Sequence, residues 1–337
     1  MDHYRIQRDI QSGKAAPVYV LMGDEPFFVD LITDFIEEHA LSEADKAFNQ
    51  TIVYGRDVSM DQVLNVAKGF PMSGDRQVVI VKEAQDLKEW KKSDSLAGLE
   101  HYMSQPQPAT LLVFAFKNKN LDKRLKVSKA IAKTGVIFES KKIKEHQLPS
   151  WIEGFLEPKN RKIEQRAANL LAEYLGSHLS KLANALDKLA IVVPESEAIN
   201  LNHIEENVGI SKDFNVFELQ RALGARDVYK ANQIINYFDA NPKANPIQMV
   251  LPVLYNFFAR LLAYQTFKGS RADIPKALGV SPWALKDVEA AATSFPPQKT
   301  ERIIGYIRDV DRKSKGVDNF GITNGMLMKE MVYKMLH

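Results

Sequence analysis

The sequence predicts an α/β module of parallel strands followed by two all-helical regions, and three observations carry that prediction. Apolar runs of strand length recur through the first 140 residues, with helix-spaced segments between them. After about residue 140 the character changes, and leucines at helical intervals take over. Beyond Ser211 every pattern is helical.

The elements follow in order. "PVYVLMG" (17 to 23) is a continuous apolar run ending in glycine and reads as a strand. "FFVDLITDFIEEHAL" (27 to 41) has apolar residues at helical spacing, and "FNQTIVYG" (48 to 55) reads as a second strand. Ser59 and Gln62 stand three residues apart, the spacing of a capping box, which predicts that "DQVLNVAKG" opens as a helix. "RQVVIVKEA" (76 to 84), "ATLLVFAFK" (109 to 117) and "GVIFES" (135 to 140) complete five candidate strands, with a polar, lysine-bearing helix between the first two of these. Their apolar content predicts burial on both faces, hence a parallel sheet covered by helices on each side. In the next region, "HQLPSWIEGFL" and the leucines 171, 175, 179, 182, 186 and 189 keep helical intervals, broken by a turn at Gly176 and Ser177. The last third reads as a bundle of about five or six helices. Asn245 with Pro246, and Ser281 with Pro282, pair a capping side chain with a proline at the first helical position. The expected divisions are 1–140, 141–210 and 211–337.

Composition narrows the function. A chain of 337 residues that is 45% apolar and 26% charged has the makeup of a globular protein with a sizeable core. The first twenty residues carry charge throughout and lack a signal peptide's apolar core, and no uninterrupted apolar run approaches spanning length, so a cytoplasmic protein without a membrane partner is expected. With no cysteine there is no disulfide, no thiol nucleophile and no thiolate metal site. A net charge of +3 leaves attraction to nucleic acid to the distribution of charge rather than its total.

Motifs for catalysis are missing in an informative way. Strand, glycine and helix at "VYVLMGDEPFF" follow the order of a phosphate-binding loop, yet Gly23 is followed by Asp24 and Glu25, which repel a triphosphate where a lysine should attract it. Pro26 removes one N–H donor. The bland reading of Gly23, Asp24 and Glu25 is a capped turn, and no cofactor is expected. Seven histidines show no pair at i, i+4, and no nucleophile elbow is present. Two features remain. In "GFPMSGDRQ" (69 to 77), Phe70, Pro71 and Met72 lie between a helix and a strand; they either seal the local core or project as a plug for a partner's pocket. The stretch from Lys117 to Lys144 is strongly basic, which fits a solvated helix face or a surface for phosphates, and no aromatic is interleaved before Phe138 to stack bases.

These residues carry a resemblance. "YVLMGDEPFFVDLITDFI", "FPMSGDRQVVIVKEA", "LLVFAFKNKNLDKR", "AEYLGSHLSKLANALDKLAI", "DFNVFELQRAL", "SPWALKDVEAAATSF" and "DVDRKSKG" occur in an order and spacing, over roughly residues 17 to 336, that resembles the delta-subunit family of the bacterial DNA polymerase III clamp loader, within the AAA+ superfamily. The resemblance implies an AAA+-like α/β domain with a degenerate nucleotide site and no ATP hydrolysis, a helical lid, and a helical collar. It implies a chain that binds and opens the sliding clamp for loading onto primed DNA during replication. Through the collar it would assemble with ATP-binding motor subunits and delta-prime, as part of a nucleotidyltransferase holoenzyme that holds primer-template DNA. By position the clamp-binding plug falls on Phe70, Pro71 and Met72, with Arg76 supporting the loop. The family often carries two adjacent large apolar residues there, whereas here Met72 is followed by Ser73. Lys313, Lys315 and Phe320, in "RKSKGVDNF", are the residues expected near DNA. An active AAA+ ATPase and a stand-alone DNA-binding protein are the rival classes. The first needs a nucleotide site that this turn lacks, and the second a recognition helix or tight, salt-sensitive duplex binding without partners.

Overall fold

A computed structural model describes residues 3–91, 96–211, 213–270, 273–279 and 282–337. The chain divides into two compact units, Met1–Ile143 and Lys144–His337.

The first unit runs α1 (His3–Gln11), β1 (Val18–Gly23), α2 (Pro26–His39), α3 (Glu43–Asn49), β2 (Gln50–Tyr54), α4 (Met60–Ala67), β3 (Gln77–Lys82), α5 (Ala97–Ser104), β4 (Thr110–Ala115), α6 (Lys126–Thr134) and β5 (Val136–Ser140). All five strands are parallel, in the order β2-β3-β4-β1-β5. Every residue of β1 and β4 is buried, as continuous apolar runs demand of central parallel strands. Alternate side chains divide between two cores. Val18, Val20, Met22, Val79, Val81, Leu112 and Phe114 pack with residues of α4, α5 and α6; Tyr19, Leu21, Val78, Ile80, Leu111 and Val113 pack with Ile6 and Ile10 of α1 and Val29, Ile32 and Ile36 of α2. The capping box forms as the sequence predicts: Ser59 N–H donates to Gln62 Oε1 (2.8 Å) and Gln62 N–H to Ser59 Oγ (3.3 Å), and the helix starts at Met60.

Two local expectations change, and one helix was not foreseen. Phe48 and Asn49, read as strand, end α3, which Ser42 caps by accepting from Asp45 N–H. Helix α1 gives no clear signal in the sequence; its polar residues outnumber the two, Ile6 and Ile10, that it buries. Among the described residues the expected lysine-bearing helix is two 3₁₀ turns (84–86 and 88–91) and the short α5.

The second unit is helical: α7 (Leu148–Leu156), α8 (Gln165–Leu175), α9 (Leu179–Val192), α10 (Leu201–Val208), α11 (Val216–Gly224), α12 (Val228–Ala240), α13 (Ile247–Thr266), α14 (Ile274–Leu278), α15 (Pro282–Ser294), α16 (Pro297–Ser314) and α17 (Asn324–Leu336). Leu171, Leu179, Leu182, Leu186 and Leu189 are buried, and Gly176, at φ +58°, turns the chain between α8 and α9. Arg161, almost wholly buried, donates to the carbonyls of Val193 (2.5 Å) and Pro194 (3.0 Å), fixing the end of α9. From residue 211 onward seven helices lie among the described residues, more than the five or six expected, because the five-residue α14 is too short to show a period. Pro246 is itself the N-cap of α13, and Asn245 donates back to Asn241 O (3.4 Å) instead of capping. Ser281 lies outside the described residues.

Helix α13, at 20 residues, is long and apolar enough by length and composition to cross a membrane, although Gln248, Asn256 and Arg260 interrupt its apolar run. Its apolar side is spent inside the bundle, where Val250, Leu251, Leu254, Phe258 and Leu261 pack with residues of α11, α12, α16 and α17.

One ionic cluster joins three helices of this unit. Arg221 on α11 donates to Glu173 of α8 (3.3 Å), to Glu218 on its own helix, and to Asp287 of α15 (3.4 Å). Burial pushes the Glu173 carboxyl from 4.5 up to about 7, against the pull of Arg221 and with Asp287 and Glu218 adding to the rise. The native unit therefore binds more protons than the unfolded chain between these values. This contribution to stability is fully present below 4.5 and is lost as pH rises through about 7. The thermal stability of the wild type should fall between about pH 5 and pH 8 more steeply than that of Glu173→Gln, which cannot titrate there. Parallel melting curves for the two proteins across that range would contradict the coupling.

Candidate functional site

In a parallel sheet all strands begin at one edge and end at the other, so the two sequence features of interest separate. The turn after β1 lies at the carboxyl edge, and the loop before β3 at the amino edge.

At the carboxyl edge β1 pairs with β5 in a register that sets Gly23 opposite Ser140. Gly23 has φ +131°, and a β-carbon there would collide with the backbone of Ser140, so the position admits glycine alone. The donors that would cradle a phosphate already have partners. Asp24 N–H donates to Ser140 O (3.1 Å), Glu25 N–H to Ser140 Oγ (3.2 Å), and Phe27 N–H to the Glu25 carboxylate (3.3 Å), while Ser140 Oγ donates to Met22 O (3.2 Å). Glu25 is thus the N-cap of α2, with Pro26 at the first helical position. The turn is closed by its own acid and by the serine of the neighbouring strand.

The amino-edge loop has the opposite character. Phe70 and Met72 are 79% and 81% exposed, and Pro71 is half-buried. Two apolar side chains stand in solvent although the loop beneath them is well held. Asn49, 4% exposed, accepts from Met72 N–H (2.7 Å) and donates to the Ser73 carbonyl. Gln77 donates to Gly69 O (2.6 Å) and to Thr110 Oγ1 (2.8 Å), and Thr110 Oγ1 in turn donates to Ala67 O (2.8 Å). Ser73 Oγ donates to Asp45 Oδ1 (3.1 Å), and Gly74, at φ +66°, makes the turn. Arg76 reaches outward to the Gly13 carbonyl (3.4 Å), in the segment before β1. Asn49 and Gln77 are what hold the loop, and sequence reasoning missed both. Asn49 lies 23 residues from the amide it accepts from, and a polar residue flanking a strand gives no local signal. Phe48, beside it in the chain, is also exposed, at 62%.

The residues expected near DNA lie at the end of α16. Phe320 is 93% exposed, Lys315 pairs with Asp311 (2.7 Å), and Lys313 is half-buried, lining with Arg312, Asp318, Glu330 and Lys334 a cavity of about 210 Å³. Asn319 organises this loop by donating to the carbonyls of Lys313 and Ile322, each at 3.1 Å.

Residues 19–141 match the family model described as DNA polymerase III, delta subunit. The chain is 25% identical over 319 residues to DNA polymerase III subunit delta of Bacillus subtilis, covering 93% of this chain and 91% of that one. It is 20% identical to a probable DNA polymerase III subunit delta of Aquifex aeolicus, covering 77% and 74%. Among solved structures, the Bacillus subtilis DNA clamp loader delta protein shares the fold with a TM-score of 0.67 at 23% identity, covering 99% of each chain. The resemblance read from the sequence therefore holds across nearly the whole length.

The Asn49 contacts make a local prediction. Asn49→Ala removes both hydrogen bonds to the loop, each worth about 1 kcal/mol. The Met72 amide should then exchange roughly tenfold faster by hydrogen–deuterium exchange, while the amides of β3 keep their protection. Unchanged exchange at Met72 would mean that the loop is held from elsewhere.

Proposed function

We propose that this chain, of the DNA polymerase III delta-subunit type, binds the ring-shaped sliding clamp through Phe70, Pro71 and Met72 and holds the ring open for loading onto primed DNA, without hydrolysing ATP itself. One observation carries the reading: two large apolar side chains about four-fifths exposed on a loop whose backbone is tied down by a buried asparagine and a buried glutamine. Exposing such groups in water is unfavourable unless they are buried elsewhere. Placing each in a pocket contributes roughly 1.5 to 3 kcal/mol, the scale of an interface hot spot. A loop ordered beforehand loses little entropy on docking.

Clamp opening in this scheme is a population shift. The chain favours the open ring by the difference between its affinities for the open and closed forms, and by nothing more. The closed turn at Gly23 supports a subunit that leaves ATP to its partners, since the backbone N–H groups of Asp24, Glu25 and Phe27 have internal acceptors and two carboxylates stand where a triphosphate would bring charge. The chain beyond the α/β domain is read as a lid over 141–210 and a collar over 211–337, through which ATP-binding motor subunits and delta-prime assemble. Lys313, Lys315 and Phe320 then face primer-template DNA, and Arg76 steadies the base of the plug. The setting is the cytoplasm.

Calorimetry with the cognate clamp tests the plug. Wild type should bind without nucleotide, and Phe70→Ala/Met72→Ala, with an unchanged melting temperature, should lose at least about 2 kcal/mol. Equal binding by both proteins would move the contact to other residues, and no binding by wild type would end the clamp reading. Separately, millimolar ATP with magnesium should leave the melting temperature where it is, because a ligand that binds only the folded state must raise it. A rise of several degrees would restore the ATPase alternative.

A further inference from the structure

The helix beside the plug loop carries a third large apolar group, and we infer that Phe48 of α3 docks on the sliding clamp together with Phe70 and Met72, against an apolar surface next to the pocket that takes the loop. The inference rests on the clamp reading for the identity of the partner, and on the fold for the placement of the residue.

Helix α3 has its polar and apolar residues exchanged. An amphipathic helix turns apolar side chains inward and polar ones to water. Among its seven residues α3 buries only Asn49, and it leaves Phe48 62% exposed. The loop is the reason. Asn49 is withdrawn from water to accept from Met72 N–H (2.7 Å) and donate to the Ser73 carbonyl, and Asp45, four residues earlier, accepts from Ser73 Oγ (3.1 Å).

These bonds place Phe48 beside the plug. With 3.6 residues per turn, Asn49 stands about 40° around the helix from Asp45 and Phe48 about 60° to its other side. Asp45 and Asn49 both reach the loop, so Phe48 borders the face that meets it. The strands agree. β2 and β3 are adjacent and parallel, with Gln50 opposite Val78, and α3 and the loop that lead into them therefore enter the sheet side by side at its amino edge.

A single exposed aromatic is ordinary. Three large apolar side chains around one hydrogen-bonded junction make a patch, and with Glu43, Lys68 and Asp75 exposed around it the patch has the apolar centre and polar rim of an interface. Area points the same way. A specific, stable interface takes roughly 800 Å² from each partner, while an aromatic side chain brings about 150 to 250 Å². Phe70 and Met72 fall short of that together, so a clamp that covers them must also cover what flanks the loop. Helix α3 is the element hydrogen-bonded to the loop, and Phe48 is the large apolar side chain that it presents.

Calorimetry of the full-length chain with the cognate clamp tests this, using Phe48→Ala, Phe48→Leu and Tyr229→Ala, the last removing an exposed aromatic from the second unit as a control. Phe48→Ala should bind at least about tenfold more weakly than wild type, Phe48→Leu should recover most of the difference, and Tyr229→Ala should match wild type. The melting temperature of Phe48→Ala should be unchanged, and its Met72 amide should keep its protection from hydrogen–deuterium exchange, because Asn49 and Asp45 still hold the loop. Wild-type affinity in Phe48→Ala, beside a loss in Phe70→Ala/Met72→Ala, overturns this inference and leaves the plug standing. A loss in Phe48→Ala with no loss in the plug variant sustains the contact of α3 and removes the plug instead. Faster exchange at Met72 in Phe48→Ala overturns the inference, since the ring would then act through the loop, and so does an equal loss in Tyr229→Ala. Self-association of wild type in sedimentation that Phe48→Ala abolishes assigns the ring to a second copy of this chain and overturns it as well. Failure of wild type to bind the clamp ends both readings.

Discussion

The close approach of β1 to β5 at Gly23 and Ser140 is the constraint on which the first unit depends. Glycine lets the two backbones meet, and Ser140 can then accept from the Asp24 and Glu25 N–H groups and donate to Met22 O. The same contact fixes the start of α2, because Glu25 is left to cap it. A loop built to surround phosphates must keep its N–H groups pointing at a ligand; here they point inward and have partners. The strand-glycine-helix order thus survives as architecture while its binding surface is consumed by the fold.

The opposite edge of the sheet treats its polar and apolar groups the other way round. Asn49 and Gln77 are buried to satisfy loop backbone, and Phe70 and Met72 are left outside. A loop that merely sealed the core would do the reverse, turning its apolar side chains inward and its polar ones to water. Rigid support under exposed apolar groups is the arrangement expected of a docking element, since order that already exists need not be created on binding.

Charge is divided with similar economy. A chain of net charge +3 carries a strongly basic stretch, residues 117–143, in its first unit, while in the second unit Arg221 meets three carboxylates across α8, α11 and α15. Burying that many acids around one cation raises the Glu173 carboxyl toward neutrality. The pH dependence of that cluster is a property of how the helices assemble, and no residue in it is unusual when read alone.

Much of this architecture is legible in local pattern. Five strands in continuous apolar runs, the Ser59 and Gln62 capping box, the leucines of α8 and α9 and the missing phosphate-loop lysine can all be read there, because burial and helix period act on residues near one another in the chain. Local pattern also marks Phe70 to Met72 as notable, but does not decide between sealing the core and facing solvent. It misses α1, whose polar residues outnumber the two apolar ones it buries, and α3, whose one buried residue is the polar Asn49. What the sequence determined by itself is therefore the order of elements and the chemistry absent from the turn. What only the tertiary structure decided is which groups meet: Ser140 with a turn 115 residues away, and Asn49 with Met72 across 23 residues. Those pairings follow from strand order and register, and both are set by long-range burial that no short window of residues contains.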